Sequence, residues 1–297
     1  MDTPPVCNYE GSDYQQKFWE NANRAYEDAA EGLALERLLP GSGLHLLELG
    51  AGAGRNTPRY KGFKQITLLD YSTTQLKQAM EKLGKSRRYR YVAADVYQLP
   101  FAPGSFDTAT MIRTLHHLAN PHLALQQVRQ CLGGQAVFLL EFANKRNLKS
   151  VARYFIRKQD WNPFSREAVE FVKLNFNFHP ASVKDLLKNC GFEIQRQLSV
   201  SYLRSKFIKR LLPVSLMTCL EAALQRTLYW SAYSPSIFLK TRVHGERQVL
   251  QNQLAFRCVA CGHFPLPDTP PVITCSACGH EYPAAEGMYD FRLDARP

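Results

Sequence analysis

Short apolar runs alternate with longer stretches of helical spacing from about residue 43 to 142. The runs are Leu46-Leu47-Glu48-Leu49, Ile66-Thr67-Leu68-Leu69, a third ending before Ala94, Ser105-Phe106-Asp107-Thr108-Ala109-Thr110-Met111-Ile112, and residues 136–140. Strands spaced so that a helix fits between each pair predict a doubly wound α/β sheet. Upstream, Tyr14, Phe18, Ala22, Ala25, Ala29 and Leu33 recur at three or four, which predicts an amphipathic helix over 12–38. Pro121 opens a helix over 121–132. Ser182-Val183-Lys184-Asp185 reads as a capping box, and Gly191 ends the helix it opens. Phe192-Glu193-Ile194 and Ile237-Phe238-Leu239 then predict a sixth and a seventh strand.

Two inserts interrupt this rhythm, at 143–181 and 200–234, and both are rich in aromatics such as Tyr154, Trp161, Phe171, Phe207 and Trp230. They emerge above the carboxyl ends of the strands, where ligands bind in this architecture. They are expected to form a lid over an apolar or planar substrate, or else a small core of their own. The pattern divides the chain into an N-terminal helical cap (1–40), an α/β domain (41–245), a polar linker (246–257) and a C-terminal module (258–297).

The first strand runs into three glycines at alternate positions, Gly50-Ala51-Gly52-Ala53-Gly54-Arg55. Glycine tolerates positive φ and has no Cβ, so a ligand can approach the backbone. Asp70 closes the second strand 20 residues after Gly50, where an acid can accept hydrogen bonds from both hydroxyls of a ribose. The pattern is G-x-G-x-G rather than the G-x-G-x-x-G of dinucleotide enzymes. No Lys-Ser/Thr pair follows, which excludes a phosphate-cradling P-loop.

Charge changes the picture at two places. The net charge is +11, yet residues 258–297 hold five acids and two bases, so the remainder carries +14. Residues 145–158 carry Lys145, Arg146, Lys149, Arg153, Arg157 and Lys158 with no acid. Residues 196–210 carry Arg196, Arg204, Lys206, Lys209 and Arg210, again with none. Such runs suit RNA, an anionic membrane surface, or simply a solvated face. Met1-Asp2-Thr3-Pro4-Pro5 lacks the apolar region of a signal peptide, and no apolar stretch is long enough to span a bilayer. A cytoplasmic protein is expected.

Cys7, Cys131, Cys190 and Cys219 stand alone and read as small buried hydrophobes. The other four form Cys258-x-x-Cys261 and Cys275-x-x-Cys278, each continued by Gly-His. Two such knuckles point four thiolates at one tetrahedral ion and leave no open position, so a structural zinc ribbon is expected. A module of about 40 residues builds little core, and the metal supplies the missing stability.

On these residues the chain resembles the class I S-adenosylmethionine-dependent methyltransferases. The resemblance runs over about 40–245 and is closest to the ubiquinone/menaquinone methyltransferase-like branch. It rests on Leu46-Leu47-Glu48-Leu49-Gly50-Ala51-Gly52-Ala53-Gly54-Arg55, Asp70, Ala94-Asp95-Val96, Leu115-His116-His117-Leu118 and Cys131-Leu132-Gly133-Gly134-Gln135. It implies a Rossmann-like, mostly parallel sheet of seven strands. It also implies cofactor contacts from Glu48, Gly50, Gly52, Gly54, Asp70, Tyr71, Asp95, Val96 and Arg113. In the family the N-terminal segment caps the cofactor pocket, which would bring Tyr14, Arg24 and Tyr26 to the methionine end. His116 and His117 follow strand four, and either could serve as a base if the acceptor must lose a proton.

The tail is similar to a zinc-binding methyltransferase-activator domain, on its knuckles and on Tyr282-Pro283. In eukaryotes and archaea that domain is a separate subunit for enzymes acting on RNA and on a release factor. Here it would act in cis on the basic domain, with no separate activator subunit expected. Two acceptor classes are implied: an apolar or lipid-like small molecule, favoured by the branch and the lid, and RNA or a translation protein, favoured by the tail and the charge. A catalytically silent cofactor-binding scaffold is a third reading, opposed by the intact Gly50, Gly52, Gly54, Asp70 and Asp95.

Overall fold

A computed structural model describes residues 4–7, 10–11, 24–246 and 254–293. Four parallel strands come first: β1 (Gly43–Leu49), β2 (Phe63–Asp70), β3 (Tyr89–Ala93) and β4 (Phe106–Met111). Helices α1 (Ala25–Leu38), α2 (Thr73–Leu83) and α3 (Pro121–Cys131) precede or link them. β5 (Leu132–Ala143) pairs parallel to β4. The excursion after it holds α4 (Leu148–Phe155), a hairpin of β6 (Val169–Val172) and β7 (Asn175–Asn177), and α5 (Pro180–Asn189). β8 (Phe192–Val200) leads to α6 (Lys206–Leu211) and α7 (Val214–Thr227), and β9 (Ser236–Val243) returns antiparallel between β5 and β8. Apart from the separate β6–β7 hairpin, these strands make the expected seven, in the order β3-β2-β1-β4-β5-β9-β8.

Alternate residues of β1 feed two cores: Leu47 and Leu49 join one buried cluster and Leu46 the other. Burial on both faces explains why β1 reads as a nearly continuous apolar run.

The C-terminal module is not a separate small domain. Its strands β10 (Val272–Thr274), β11 (Glu281–Ala285) and β12 (Met288–Asp290) extend the same sheet to ten. β12 lies parallel to β3, with Met288 opposite Tyr91 and Asp290 opposite Ala93. Without it β3 would be an edge strand with unpaired backbone groups. The module also shares the main core. Phe256 lies 6.1 Å from Phe101 and 4.8 Å from Phe291, and Arg90 sits over Phe256 and Tyr289 while pairing with Asp268. The linker is therefore shorter than 246–257, because Leu254 and Phe256 are buried; residues 247–253 lie outside the described part.

Other boundaries move as well. The first helix starts at Ala25, and residues 12–23, including Tyr14, lie outside the described residues. α5 begins at Pro180, capped by His179, whose Nδ1 accepts from Ala181 N. The anticipated capping box thus falls inside the helix, where Ser182 donates to Arg166 O and Asp185 pairs with Arg166.

Candidate cofactor cleft and four-cysteine cluster

β1 ends in the glycine turn, and Gly50, Gly52 and Gly54 all sit at positive φ (+66°, +53° and +70°). A Cβ on Gly50 would lie 2.1 Å from Thr114 Oγ1, so that glycine lets β4's following loop pack against the turn. A Cβ on Gly52 would meet nothing closer than Gln75 Oε1 at 3.8 Å and would project into empty space. Gly52 N donates to Asp70 Oδ2 (2.8 Å) and Ser72 N donates to Oδ1 (3.0 Å). These bonds aim the carboxylate across the turn. Burial pushes the Asp70 carboxyl up, while the backbone N–H groups of Ser72 and Gly52 pull the other way.

A cleft of about 1040 Å³, counting its solvent-open mouth, lies at the carboxyl ends of β1, β2 and β4. Of the predicted contacts, Glu48, Gly50, Gly52, Asp70, Tyr71, Val96 and Arg113 line it. Gly54 does not. A Cβ there would lie 2.9 Å from Leu83 of α2, so this glycine serves helix packing. Asp95 does not line the cleft either: its Oδ1 accepts from Tyr97 N and its neighbours Ala94 and Val96 face the space.

The charged wall is a network. Glu31 is fully buried and receives Arg113 Nε (2.5 Å) and Arg55 Nη2 (2.6 Å). Burial alone would raise its pKa, but Arg113 and Arg55 outweigh it and keep it ionised. Arg55 also pairs with Asp28. Arg113 stands at φ +56°, with its N–H on Glu141 Oε2. Glu48 is held by Thr57 and Tyr60, and burial pushes its carboxyl up to about 7.

His117 lines the cleft opposite the glycine turn, in the short helical turn 115–117 after β4. Its Nδ1 lies 3.1 Å from Leu174 O. Burial lowers its pKa. His116 packs against it with the rings tilted at 45° and their centres 4.0 Å apart, and does not line the cleft; burial, with His117 and Arg113 close by, drives its pKa well down. Tyr26 is not at the methionine end. Its hydroxyl donates to Glu221 Oε2 (2.5 Å) and accepts from Leu203 N, tying α1 to α7.

Several groups lining or flanking the cleft carry no sequence signal of their own. Val6 and Cys7 line the cleft from the N-terminal strap, and Glu10 caps the start of α2 through Thr73 and Thr74. Arg292 reaches over from the C-terminal module. It donates to Tyr71 O (3.2 Å), stacks on the Tyr71 ring at 5.6 Å, and pairs with Asp290 and Glu10. Arg55, which closes the glycine run, also lines the cleft, as do Ala51, Ala53, Ala94 and Leu118 of the same motifs.

The four paired cysteines meet at one point, with all Sγ atoms within 4.8 Å of one another. Across the knuckles Cys258 Sγ to Cys278 Sγ is 3.7 Å, and Cys261 Sγ to Cys275 Sγ is 3.6 Å. A tetrahedron with zinc–sulfur bonds of about 2.3 Å has edges of about 3.8 Å, so the donor set fits that ion. Both knuckles repeat the same backbone bonds, Cys258 N to His263 O and Gly262 N to Cys258 O, then Cys275 N to His280 O and Gly279 N to Cys275 O. Tyr282 OH lies 3.1 Å from Cys258 Sγ and orients it.

Fold and cleft together define a Rossmann-like nucleoside-binding domain of the methyltransferase type. Residues 47–140 match the family described as Methyltransferase domain. A demethylmenaquinone methyltransferase of Chlamydia trachomatis serovar D is 30% identical over 160 residues, which is 50% of this chain and 67% of that one. The O-methyltransferase cnsE of Penicillium expansum is 31% identical over 125 residues, 39% of this chain and 45% of its own. The chain thus spans about half the length of the fungal relatives it matches. Among solved structures, a chain from the Haloferax volcanii complex that contains the Trm112 methyltransferase activator superposes with a TM-score of 0.54 at 16% identity, over 78% of this chain and 95% of that one. The chain belongs to the S-adenosylmethionine-dependent methyltransferases.

Proposed function

We propose that this protein transfers a methyl group from S-adenosylmethionine to an apolar or lipid-like small molecule in the cytoplasm, with a structural zinc in its C-terminal module. The observation that carries the cofactor is the Gly52–Asp70 pair. A half-buried carboxylate, already oriented by two backbone donors, keeps lone pairs for a ribose diol beside a glycine that leaves room for the sugar. Tyr71, Ala94 and Val96 offer the apolar walls for an adenine, and Arg113 offers a cation to a carboxylate. When bound, S-adenosylmethionine supplies a sulfonium methyl for in-line displacement, and the protein mainly aligns and desolvates the acceptor. The quinone and O-methyltransferase names of the relatives support the acceptor class.

His117 is the group we place in proton transfer. With its Nδ1–H donated to Leu174 O, Nε2 carries the lone pair, and burial keeps the ring neutral at pH 7. The base form is then lost only as pH falls through a pKa below the usual 6.5. The turnover rate is expected to fall along that acid limb and stay flat above it. His117→Gln is expected to abolish the limb and to lower kcat by about 10²–10⁴ with near-normal cofactor affinity. An unchanged pH–rate profile in His117→Gln removes the residue from the chemistry.

Arg292→Ala tests whether the C-terminal module supports the cofactor. Losing the bond to Tyr71 O and the stacking on its ring is expected to raise the S-adenosylmethionine Kd by roughly 3- to 10-fold in calorimetry, with zinc retained. Because β12 already occupies the β3 edge, we infer that the protein needs no separate activator subunit.

The acceptor is tested by incubating methyl-tritiated S-adenosylmethionine with a cell extract and counting organic phase and nucleic-acid precipitate separately. Label in the organic phase supports the small-molecule reading. Ribonuclease-sensitive label in the precipitate replaces it with RNA methylation, a reading favoured by the activator-like module and the basic inserts.

A further inference from the structure

Helix α7 is apolar on the side turned to solvent. Its inner face buries Glu221 and Gln225 beside Met217, and its outer face presents Leu216, Cys219, Leu220 and Ala223 at helical spacing to solvent. The buried polar face is fully engaged. Glu221 accepts from Tyr26 OH, Ser201 N, Tyr202 N and Gln225 Nε2, and Gln225 also accepts from Arg37. No slip of this helix can therefore turn the apolar stripe inward without stranding a buried carboxylate.

The stripe is not isolated. In α6, Phe207 is 71% exposed and Leu211 is exposed beside it. In α4, Phe155 is 70% exposed, with Leu148 and Ile156 also open, and Trp230 beyond α7 is 66% exposed. Both inserts leave the sheet at the same edge, because β5 and β8 run parallel and end at Ala143 and Val200. They are also tied together. Leu148 N donates to Tyr233 O (2.8 Å), and Arg146 stacks on the Tyr233 ring at 4.8 Å while donating to its hydroxyl. None of the insert aromatics lines the cleft. Phe178 joins the main core with Phe176 against it, and Tyr154, Phe155 and Phe164 pack on one another, yet Phe155, Phe164, Phe171, Phe207, Tyr229 and Trp230 remain exposed.

Charge decides the partner. Lys149, Arg153, Arg157 and Lys158 surround the apolar residues of α4, and Lys206, Arg210 and Arg226 those of α6 and α7. Residues 145–158 contain no acid, and the only acid of 206–230 is the buried Glu221. A second copy would bring like charges face to face across a two-fold contact. RNA would satisfy the cations but leave the Phe, Leu and Trp side chains in water. Exposed apolar groups ringed by cations, with aromatics at the rim, suit the headgroup boundary of an anionic bilayer. No described helix is long and apolar enough to cross a membrane, and the 14-residue α7 is about 21 Å long, so the face lies on the bilayer rather than through it.

We propose that the outer face of the two inserts, formed by α4, α6, α7 and Trp230, docks on an anionic lipid surface and presents the cleft's mouth to the membrane. The inference stands apart from the identity of the acceptor, because its test reads binding without turnover. The full chain is floated with vesicles of phosphatidylcholine alone and of phosphatidylcholine mixed with phosphatidylglycerol. Binding is expected with the anionic vesicles, and it weakens as salt rises. Arg153→Gln with Arg157→Gln is expected to lower the partition coefficient by roughly fivefold per cation removed. Leu216→Ser with Leu220→Ser is expected to weaken binding with only a small loss of Tm, since the two side chains are 44% and 42% exposed. Failure to bind the anionic vesicles overturns the proposal. So does equal binding to both compositions, or a stable dimer in sedimentation velocity that the Leu216/Leu220 pair dissociates.

Discussion

Cys258→Ser is expected to lower the melting temperature by on the order of 10 °C and to abolish the bound zinc that elemental analysis of the wild type is expected to find. The expectation follows from where the knuckles sit. Cys258 and Cys275 are buried within the main core cluster, together with Ile273, Tyr282 and Phe291. These residues come from short elements, three strands of three to five residues, that cannot hold their own hydrogen-bonded structure. Four thiolates around one ion would supply what those strands lack, and structural zinc sites are worth about 10–16 kcal/mol to small domains. Only part of that reaches global stability, because the module can open locally before the α/β domain unfolds. A loss of roughly 3–5 kcal/mol in a chain of this size corresponds to the stated shift. Opening would also strip β12 from β3 and leave an edge strand prone to self-association. Cys219→Ser, at an exposed cysteine outside the cluster, is the control and is expected to leave Tm unchanged. An unchanged Tm in Cys258→Ser would show that the sheet extension holds without metal.

The parts of this molecule that were legible in the sequence are those written in local pattern. Leu46 to Gly54 encodes strand, turn and helix-packing glycine within nine residues, and Asp70 ends the next strand at a fixed distance along the chain. The knuckles likewise carry their geometry in their spacing. What could not be read depends on contacts between distant residues. β12 is three residues long, and its pairing with β3 joins Met288 to Tyr91, a contact no periodicity announces. Asp95 reads as a cleft residue, but its side chain caps the turn at Tyr97 and its neighbours face the cavity instead. Helix α5 starts at Pro180 rather than at the capping box because proline is preorganised for the first turn and His179 supplies the cap. The aromatic content of the inserts was plain, yet composition carries no direction. The buried Glu221, held by Tyr26 from 195 residues away, fixes which face of α7 turns out.

Asp70→Ala is expected to weaken S-adenosylmethionine binding by on the order of 10²- to 10³-fold, because two hydrogen bonds to a half-buried carboxyl acceptor are lost together. The alanine also strands Gly52 N and Ser72 N, so a loosened turn would weaken binding too. Gly52→Ala separates the two causes. The new Cβ meets no protein atom closer than 3.8 Å, and the cost of a non-glycine residue at φ +53° is about 1 kcal/mol. The variant should therefore fold with Asp70 and its bonds in place, while its methyl group occupies the space the ligand needs. Gly50→Ala is the contrasting case, since its Cβ would lie 2.1 Å from Thr114 Oγ1 and should destabilise the turn itself. Calorimetry with S-adenosylmethionine beside thermal melts distinguishes them. Gly52→Ala should keep nearly its full Tm and lose binding, Gly50→Ala should lose both, and Asp95→Ala should keep most of its affinity. Wild-type affinity in both Asp70→Ala and Gly52→Ala would move the cofactor out of this cleft, and with it the roles given to Tyr71, Arg113 and His117.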